Sequence, residues 1–208
     1  MKAALKVYDL TMVLEDGLRI YPDSVPFKLT PVSTIAREGY NVNRVEMDEH
    51  SGTHVDAPFH FYEKGLSISD IPANMLIGKA VILDLSLRNY RFIEIDDVEE
   101  ALSDLGINPG RGWYLFLKLK THEEFKVVSE SVARYIVDEN LNGIGVDSPS
   151  PDEYPYPVHK LLLGNGRLII ENLVIPSELT NTVIDVFVAP LKIRGGTGSP
   201  ARVLGIKY

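Results

Sequence analysis

The chain carries five histidines, and three of them fall within the run His50-Ser51-Gly52-Thr53-His54-Val55-Asp56-Ala57-Pro58-Phe59-His60, with a carboxylate among them. His54, Asp56 and His60 all lie at even offsets from His50. Alternate residues of an extended chain share a face, so the four side chains can converge on one point. A helix would also bring His50 and His54 together. Gly52, the β-branched Thr53 and Val55, and Pro58 argue against helix, and Gly52 and Pro58 instead bend a strand around the site. Imidazole and carboxylate together suit zinc, manganese or iron. The plain alternative is a strand with unconnected histidines, and the scarcity of histidine elsewhere weighs against it.

Two histidines remain as further partners. His122 sits in the polar stretch Thr121-His122-Glu123-Glu124, where a surface position is expected. His159 opens a short segment after a loop rich in proline and tyrosine, Pro151 to Pro157. Glu171 follows in the mostly apolar run Arg-Leu-Ile-Ile-Glu-Asn-Leu-Val. A carboxylate there is paired, metal-bound or turned to solvent. The chain has no cysteine, so thiolate ligands and nucleophiles are excluded and any metal is held by nitrogen and oxygen.

The elements that must position these residues follow from periodicity and turn chemistry. Strands are expected at Ala4 to Val13, Phe27 to Ile35, and Tyr40 to Glu49, the last running directly into His50. Ser69 to Met75 is expected to hold a short helical turn. Lys79 to Ser86 is a nearly continuous apolar run and reads as a strand buried on both faces. Helices are predicted over Asp96 to Leu105, closed by Gly106, and over Ser129 to Glu139. Strands follow at Trp113 to Leu119 and Asn142 to Asp147. A short helix is expected over Val158 to Leu163, then strands at Arg167 to Val174, Thr182 to Pro190 and Arg202 to Ile206. Helices alternating with buried strands in the second half imply an α/β protein with parallel pairing, and the first half reads as antiparallel. The glycine-rich Arg194 to Pro200 stretch lacks the Gly-Lys-Ser/Thr ending of a phosphate loop and leads into a strand. It reads as a structural loop, with a subunit contact as a candidate role.

At 208 residues a single domain spanning the whole chain is expected. A formal charge of −8 argues against nucleic acid or an anionic membrane as the main partner. Met1 to Leu14 lacks the apolar core of a signal peptide, and no apolar run approaches spanning length. The expectation is a soluble cytoplasmic protein acting on a small molecule.

The His50–His60 run closely resembles the H-x-G-T-H-x-D-x-P-x-H signature of the cyclase family of metal-dependent hydrolases, which includes bacterial kynurenine formamidase and isatin hydrolase. The resemblance extends to Asp9-Leu10-Thr11, Tyr21-Pro22, Asp147-Ser148-Pro149-Ser150, His159 with Glu171, and Gly198-Ser199-Pro200-Ala201-Arg202. It implies a swivelling β/β/α domain with a mixed sheet. It implies two divalent ions per subunit, zinc first and manganese as the other candidate. One would be held by His50, His54, Asp56 and Glu171, the other by Asp56, His159 and Glu171. His60 would donate and accept the proton, although a ligand or outer-sphere role for it stays open. Tyr21 stands where formamidases carry a substrate-contacting tryptophan; it either lines the pocket or packs a loop on the core. That substitution and the Tyr-Pro-Tyr-Pro stretch before His159 depart from the formamidase pattern. The resemblance also implies a homodimer or larger assembly.

The chemistry expected is hydrolysis of an amide or lactam C–N bond of the arylformamidase type, with a metal-activated water as nucleophile. A bound divalent ion lowers the pKa of water from ~15.7 toward ~7, and His60, an imidazole titrating near neutrality, protonates the leaving amine. Two alternatives stand beside it. The same site could serve cyclase, dehydratase or lactone-hydrolase chemistry, or the domain could bind metal without catalysing anything.

Overall fold

The computed structural model describes residues 5–18, 24–121 and 124–208. Tyr21 and His122, both singled out above, lie outside the described residues.

The elements run in the order β1 (Lys6–Asp9), β2 (Lys28–Ser33), α1 (Ile35–Glu38), β3 (Val42–Glu46), β4 (His54–Asp56), β5 (Ile77–Asp84), β6 (Phe92–Ile93), α2 (Ile95–Leu105), β7 (Trp113–Lys118), β8 (Val127–Val128), α3 (Glu130–Asp138), β9 (Gly143–Val146), α4 (Pro157–Gly164), β10 (Leu168–Glu171), β11 (Thr182–Pro190) and β12 (Gly198–Lys207). Strands β12-β11-β5-β7-β9-β10-β4 are hydrogen-bonded in that order, and β4 pairs again with β12. The sheet therefore closes into a seven-stranded mixed barrel, with β1 added along the end of β12. β5, β7, β9 and β10 are parallel neighbours. The connections between them are α2, α3 and α4, as parallel strands require a crossover.

The alternation of side chains decides what the barrel and the helices share. Ala80 and Ile82 of β5, Tyr114 and Phe116 of β7, and Ile170 of β10 point inward, where they meet Val55, Ile184, Val186 and Val203. Val81, Leu83, Leu115, Leu117, Ile144 and Ile169 point outward, against Val98, Leu102, Val132, Ile136, Val158 and Leu162 of the helices. Both faces of the parallel strands are thus dry, which is why Lys79 to Ser86 shows a continuous apolar run in place of an alternating one. Helix α2 is entered through reciprocal Glu94 and Asp97 capping bonds and left through Gly106 at φ +63°.

Several expected boundaries move. The strand predicted over Tyr40 to Glu49 ends at Glu46, and a turn carries the chain to His50. β2 and β3 form a separate hairpin whose residues are exposed, apart from the half-buried Ser33. The last strand begins at Gly198, not Arg202, because Gly198-Ser199-Pro200 pairs with β4. The helical turn expected in Ser69 to Met75 is two 3-10 turns, Ile68–Asp70 and Ala73–Met75. No helix of the described residues is long and apolar enough to cross a membrane.

Candidate metal centre

β4 is three residues long, yet it is paired on both edges. On one side Glu171 lies opposite His54 and Ile169 opposite Asp56. On the other, Pro200 lies opposite His54 and Gly198 opposite Asp56. Val55 fills the barrel interior, so His54 and Asp56, one residue either side of it, point outward with Glu171. The site is therefore on the helix side of the barrel wall, and α4 covers it.

The four residues from His50 to His60 do converge, but not by alternation along one strand. Only His54–Asp56 is strand. His50 stands on a turn closed by Ser51 N–H to Asp48 C=O, at 3.3 Å. Gly52 then reverses the chain at φ +61°, in a place where a Cβ would strike Leu14 Cδ2 at 2.5 Å. Pro58 opens a 3-10 turn, Pro58–His60, that swings His60 back over the site. The imidazoles of His50 and His60 end 4.2 Å apart between centroids. Gly52 and Pro58 thus bend the chain as expected, and the bending replaces the shared strand face.

The fourth imidazole comes from α4. Pro157 starts the helix and His159 follows two residues later. Asp152, which the sequence pattern does not single out, holds this end. Its Oδ2 accepts the Val158 and His159 amide N–H groups at 2.6 and 3.3 Å, and its Oδ1 accepts His159 Nδ1–H at 2.5 Å. A carboxylate at this position satisfies the otherwise unpaired first-turn amides and opposes the positive end of the helix dipole. The signal was present as an acidic residue a few positions ahead of a Pro-initiated helix.

The hydrogen bonds also settle two tautomers. His54 Nδ1 donates to Gly52 C=O at 2.8 Å, and His159 Nδ1 donates to Asp152. Each ring therefore turns its Nε2 to the centre, where a proton or a metal can sit. His54 Nε2 is 3.4 Å from Asp56 Oδ1 and 3.2 Å from Glu171 Oε2; His159 Nε2 is 3.5 Å from Asp56 Oδ2 and 3.3 Å from Glu171 Oε1. His50 Nδ1 is 2.7 Å from Asp56 Oδ1. Asp56 is thus shared by two groups able to hold a cation, His50-Asp56-His60 and His54-Asp56-Glu171.

Exposure divides the site. His54, Asp56, His159 and Glu171 are 1 to 6% exposed, while His50 is half-buried and His60 lies at the open mouth. Phe61 stacks on His159 at 5.1 Å and Tyr156 meets the same ring edge-on at 5.7 Å, giving the mouth an aromatic wall.

In this water-poor setting burial disfavours every charge, but the clustered groups override it. Burial lowers the pKa of His54, yet the adjacent carboxylates of Asp56 and Glu171 raise it to about 10. Burial likewise opposes a charged His159, and Asp152, Asp56 and Glu171 push it up to about 12. Asp56 is raised by burial but drawn well below the usual carboxylate range by His159, His50 and His54. At the mouth the balance reverses: loss of hydration lowers His60 below 6.5, against the pull of Asp56. The floor demands positive charge and the rim imidazole favours its neutral form.

The donor set fits a divalent metal. Imidazole nitrogens and carboxylate oxygens converge from four segments of chain. His54 Nε2 and Glu171 Oε1 are buried and make no hydrogen bond, which a structure tolerates where another partner is provided for.

Comparison with known proteins places this geometry. The family model described as "Putative cyclase" matches residues 8–153, and the chain belongs to that family. A kynurenine formamidase of Bacillus cereus is 28% identical over 207 residues, covering 94% of this chain and 95% of its own. The structure titled predicted metal-dependent hydrolase from Bacillus stearothermophilus is 30% identical, with a TM-score of 0.81, covering 99% of this chain and 100% of the other. Isatin hydrolase A from Labrenzia aggregata, bound to benzyl benzoate, has the same fold, with a TM-score of 0.87 at 24% identity over 97% of this chain and 93% of that one. The chain is an enzyme of this hydrolase kind, which removes the non-catalytic alternative.

Proposed function

We propose that the protein is a metal-dependent hydrolase of an amide or lactam C–N bond, of the arylformamidase type. The observation that carries the reading is the buried pair of carboxylates, Asp56 and Glu171, faced by imidazoles whose free nitrogens point at them. His50, His54, Asp56 and Glu171 would hold one divalent ion, and Asp56, His159 and Glu171 a second. Zinc is the first candidate and manganese the other, since nitrogen and oxygen donors admit both. Such an ion supplies Lewis acidity, lowering the pKa of water from ~15.7 toward ~7 and polarising the scissile carbonyl.

The remaining work belongs to the protein's own residues. Asp56 and Glu171 neutralise positive charge at the floor. Gly52 C=O and Asp152 hold the His54 and His159 rings so that Nε2 stays aimed inward. His60, neutral at the rim, would take the proton of the water that adds to the carbonyl carbon and return it to the nitrogen that departs as the C–N bond breaks. Phe61 and Tyr156 give a flat substrate an aromatic surface. Tyr21 is proposed as a substrate contact.

Full-length protein loaded with zinc or manganese should hydrolyse N-formyl-L-kynurenine, and His60→Ala should abolish most of the turnover. A metal-loaded protein inert to that substrate would sink the formamidase assignment and keep the site. A second reading, lactone hydrolysis or cyclase or dehydratase chemistry in the same site, is favoured by the Tyr154 to Pro157 loop. There Tyr156 packs directly on His159, and this is the stretch that departs from the formamidase pattern. A panel of lactams, lactones and formamides separates the two. We further propose a swivelling β/β/α arrangement for the barrel and helices, one domain across the chain, and a cytoplasmic homo-oligomer.

A further inference from the structure

The glycine-rich Arg194 to Pro200 segment is not absorbed by the mechanism above, and it touches His50. Thr197 is the point of contact. Its backbone N–H and its hydroxyl both donate to Glu49 Oε2, at 2.9 and 2.6 Å. The same hydroxyl oxygen lies 3.0 Å from His50 Nε2. A threonine hydroxyl has one hydrogen. With that hydrogen directed to Glu49, Thr197 presents only a lone pair to His50, so Nε2 must carry the proton.

In the neutral ring this is the opposite tautomer from His54 and His159, and it leaves Nδ1 as the nitrogen available to a metal. Nδ1 faces Asp56 Oδ1 at 2.7 Å. A ring nitrogen and a carboxylate oxygen at that separation share either a proton or a metal cation, and in the metal-loaded site the cation takes that place. The glycines of the segment fit the same design. A Cβ on Gly198 would fall 2.8 Å from His50 Cε1 and 3.2 Å from its Nδ1; one on Gly196 would fall 2.7 Å from Glu49 Oε1. The segment lies close against these two side chains and against Val55 C=O of β4, 2.6 Å from a Cβ on Gly198, and is fixed by Ala57 N–H to Thr197 C=O at 2.9 Å.

We infer that Glu49 and Thr197 are positioning residues that lock His50 in the Nε2–H tautomer, so that His50 binds the metal through Nδ1. This rests on the reading of His50 as a ligand. The glycine-rich segment then serves to deliver one hydroxyl to the outer edge of one ring. Hydrogen-bonded partners of metal-ligating histidines contribute ~10–100-fold to metal affinity.

Two measurements test it on the full-length protein. Histidine-selective 15N NMR of the zinc-loaded protein should show His50 with protonated Nε2 and metal-bound Nδ1; a protonated Nδ1 overturns the inference. Zinc affinity by chelator competition should fall ~10–100-fold in Thr197→Val, with the melting temperature of the metal-free protein unchanged and wild-type affinity restored in Thr197→Ser. Unchanged affinity in Thr197→Val, or a loss that Thr197→Ser shares, overturns it. His50→Ala separates the two levels. If it loses zinc while Thr197→Val does not, only the positioning role fails. If it keeps wild-type affinity, the ligand reading fails and the inference with it.

Discussion

The floor and the rim of the site are built from the same residue types and behave in opposite ways. The floor, His54, Asp56, His159 and Glu171, sits on strands and a helix with almost no exposure. Each floor imidazole has its Nδ1–H tied to an acceptor, and the surrounding carboxylates raise its pKa. At the rim, His60 comes from a 3-10 turn, its pKa is lowered, and it stays exposed. Histidine chemistry here is therefore assigned by support and not by identity. A ring held at one nitrogen among carboxylates is suited to retain a cation, and an exposed ring kept neutral is suited to carry a proton in and out.

Removing a floor carboxylate should have the largest effect. Asp56→Asn removes the carboxylate that both groups share, and should abolish metal binding and lower kcat/KM by well over ~100-fold, more than an outer partner contributes. Metal content by atomic emission beside the hydrolysis assay reads both. A change at the rim should separate the two functions. His60→Ala should lower turnover by ~10²–10⁴ with the metal content unchanged; a variant that also loses metal would make His60 a ligand and erase the distinction.

A milder substitution probes how the floor rings are held. Asp152→Asn keeps an acceptor for the α4 amides but loses the charge against His159. It should weaken metal affinity ~10–100-fold, with little change in far-ultraviolet circular dichroism.

The pH dependence of stability should also differ with loading. His54 and His159 have folded pKa values of about 10 and about 12 against an ordinary 6.5. The metal-free fold therefore binds more protons than the unfolded chain above roughly pH 6.5. That contribution is full below pH ~6.5 and is lost as pH rises through 10 and then 12. Metal takes the place of those protons, so the gap in melting temperature between loaded and chelator-treated protein should widen as pH rises from 6 to 9. A constant gap would show that the floor does not exchange protons for metal.

Much of this was legible in the residues themselves. The gathering of His50, His54, Asp56 and His60 at one place showed in their spacing, and the both-sided burial of Lys79 to Ser86 showed in its unbroken apolar run. Glu171 was identifiable as unusual because a carboxylate inside Leu-Ile-Ile-Glu needs a reason. What could not be read was how the cluster converges. Even spacing predicted one strand face, while Gly52 and Pro58 override the strand at both ends and leave three residues of it. Asp152 and Thr197 were missed for a different reason. Asp152 left only the weak mark of an acidic residue ahead of a Pro-initiated helix, and Thr197 acts on a ring through a contact made only in the folded chain, which an isolated Thr in a loop does not announce.

The double pairing of β4 also sets an order of assembly. Its partners, Leu168–Glu171 and Gly198–Pro200, come late in the chain, far from His54. Contacts of such sequence separation form slowly, because loop closure must precede the contacts that reward it. The floor of the site therefore cannot exist in any early intermediate made from the first half of the molecule. It is completed only when the barrel shuts, so acquisition of the proposed metal would be a late event that reports a finished fold.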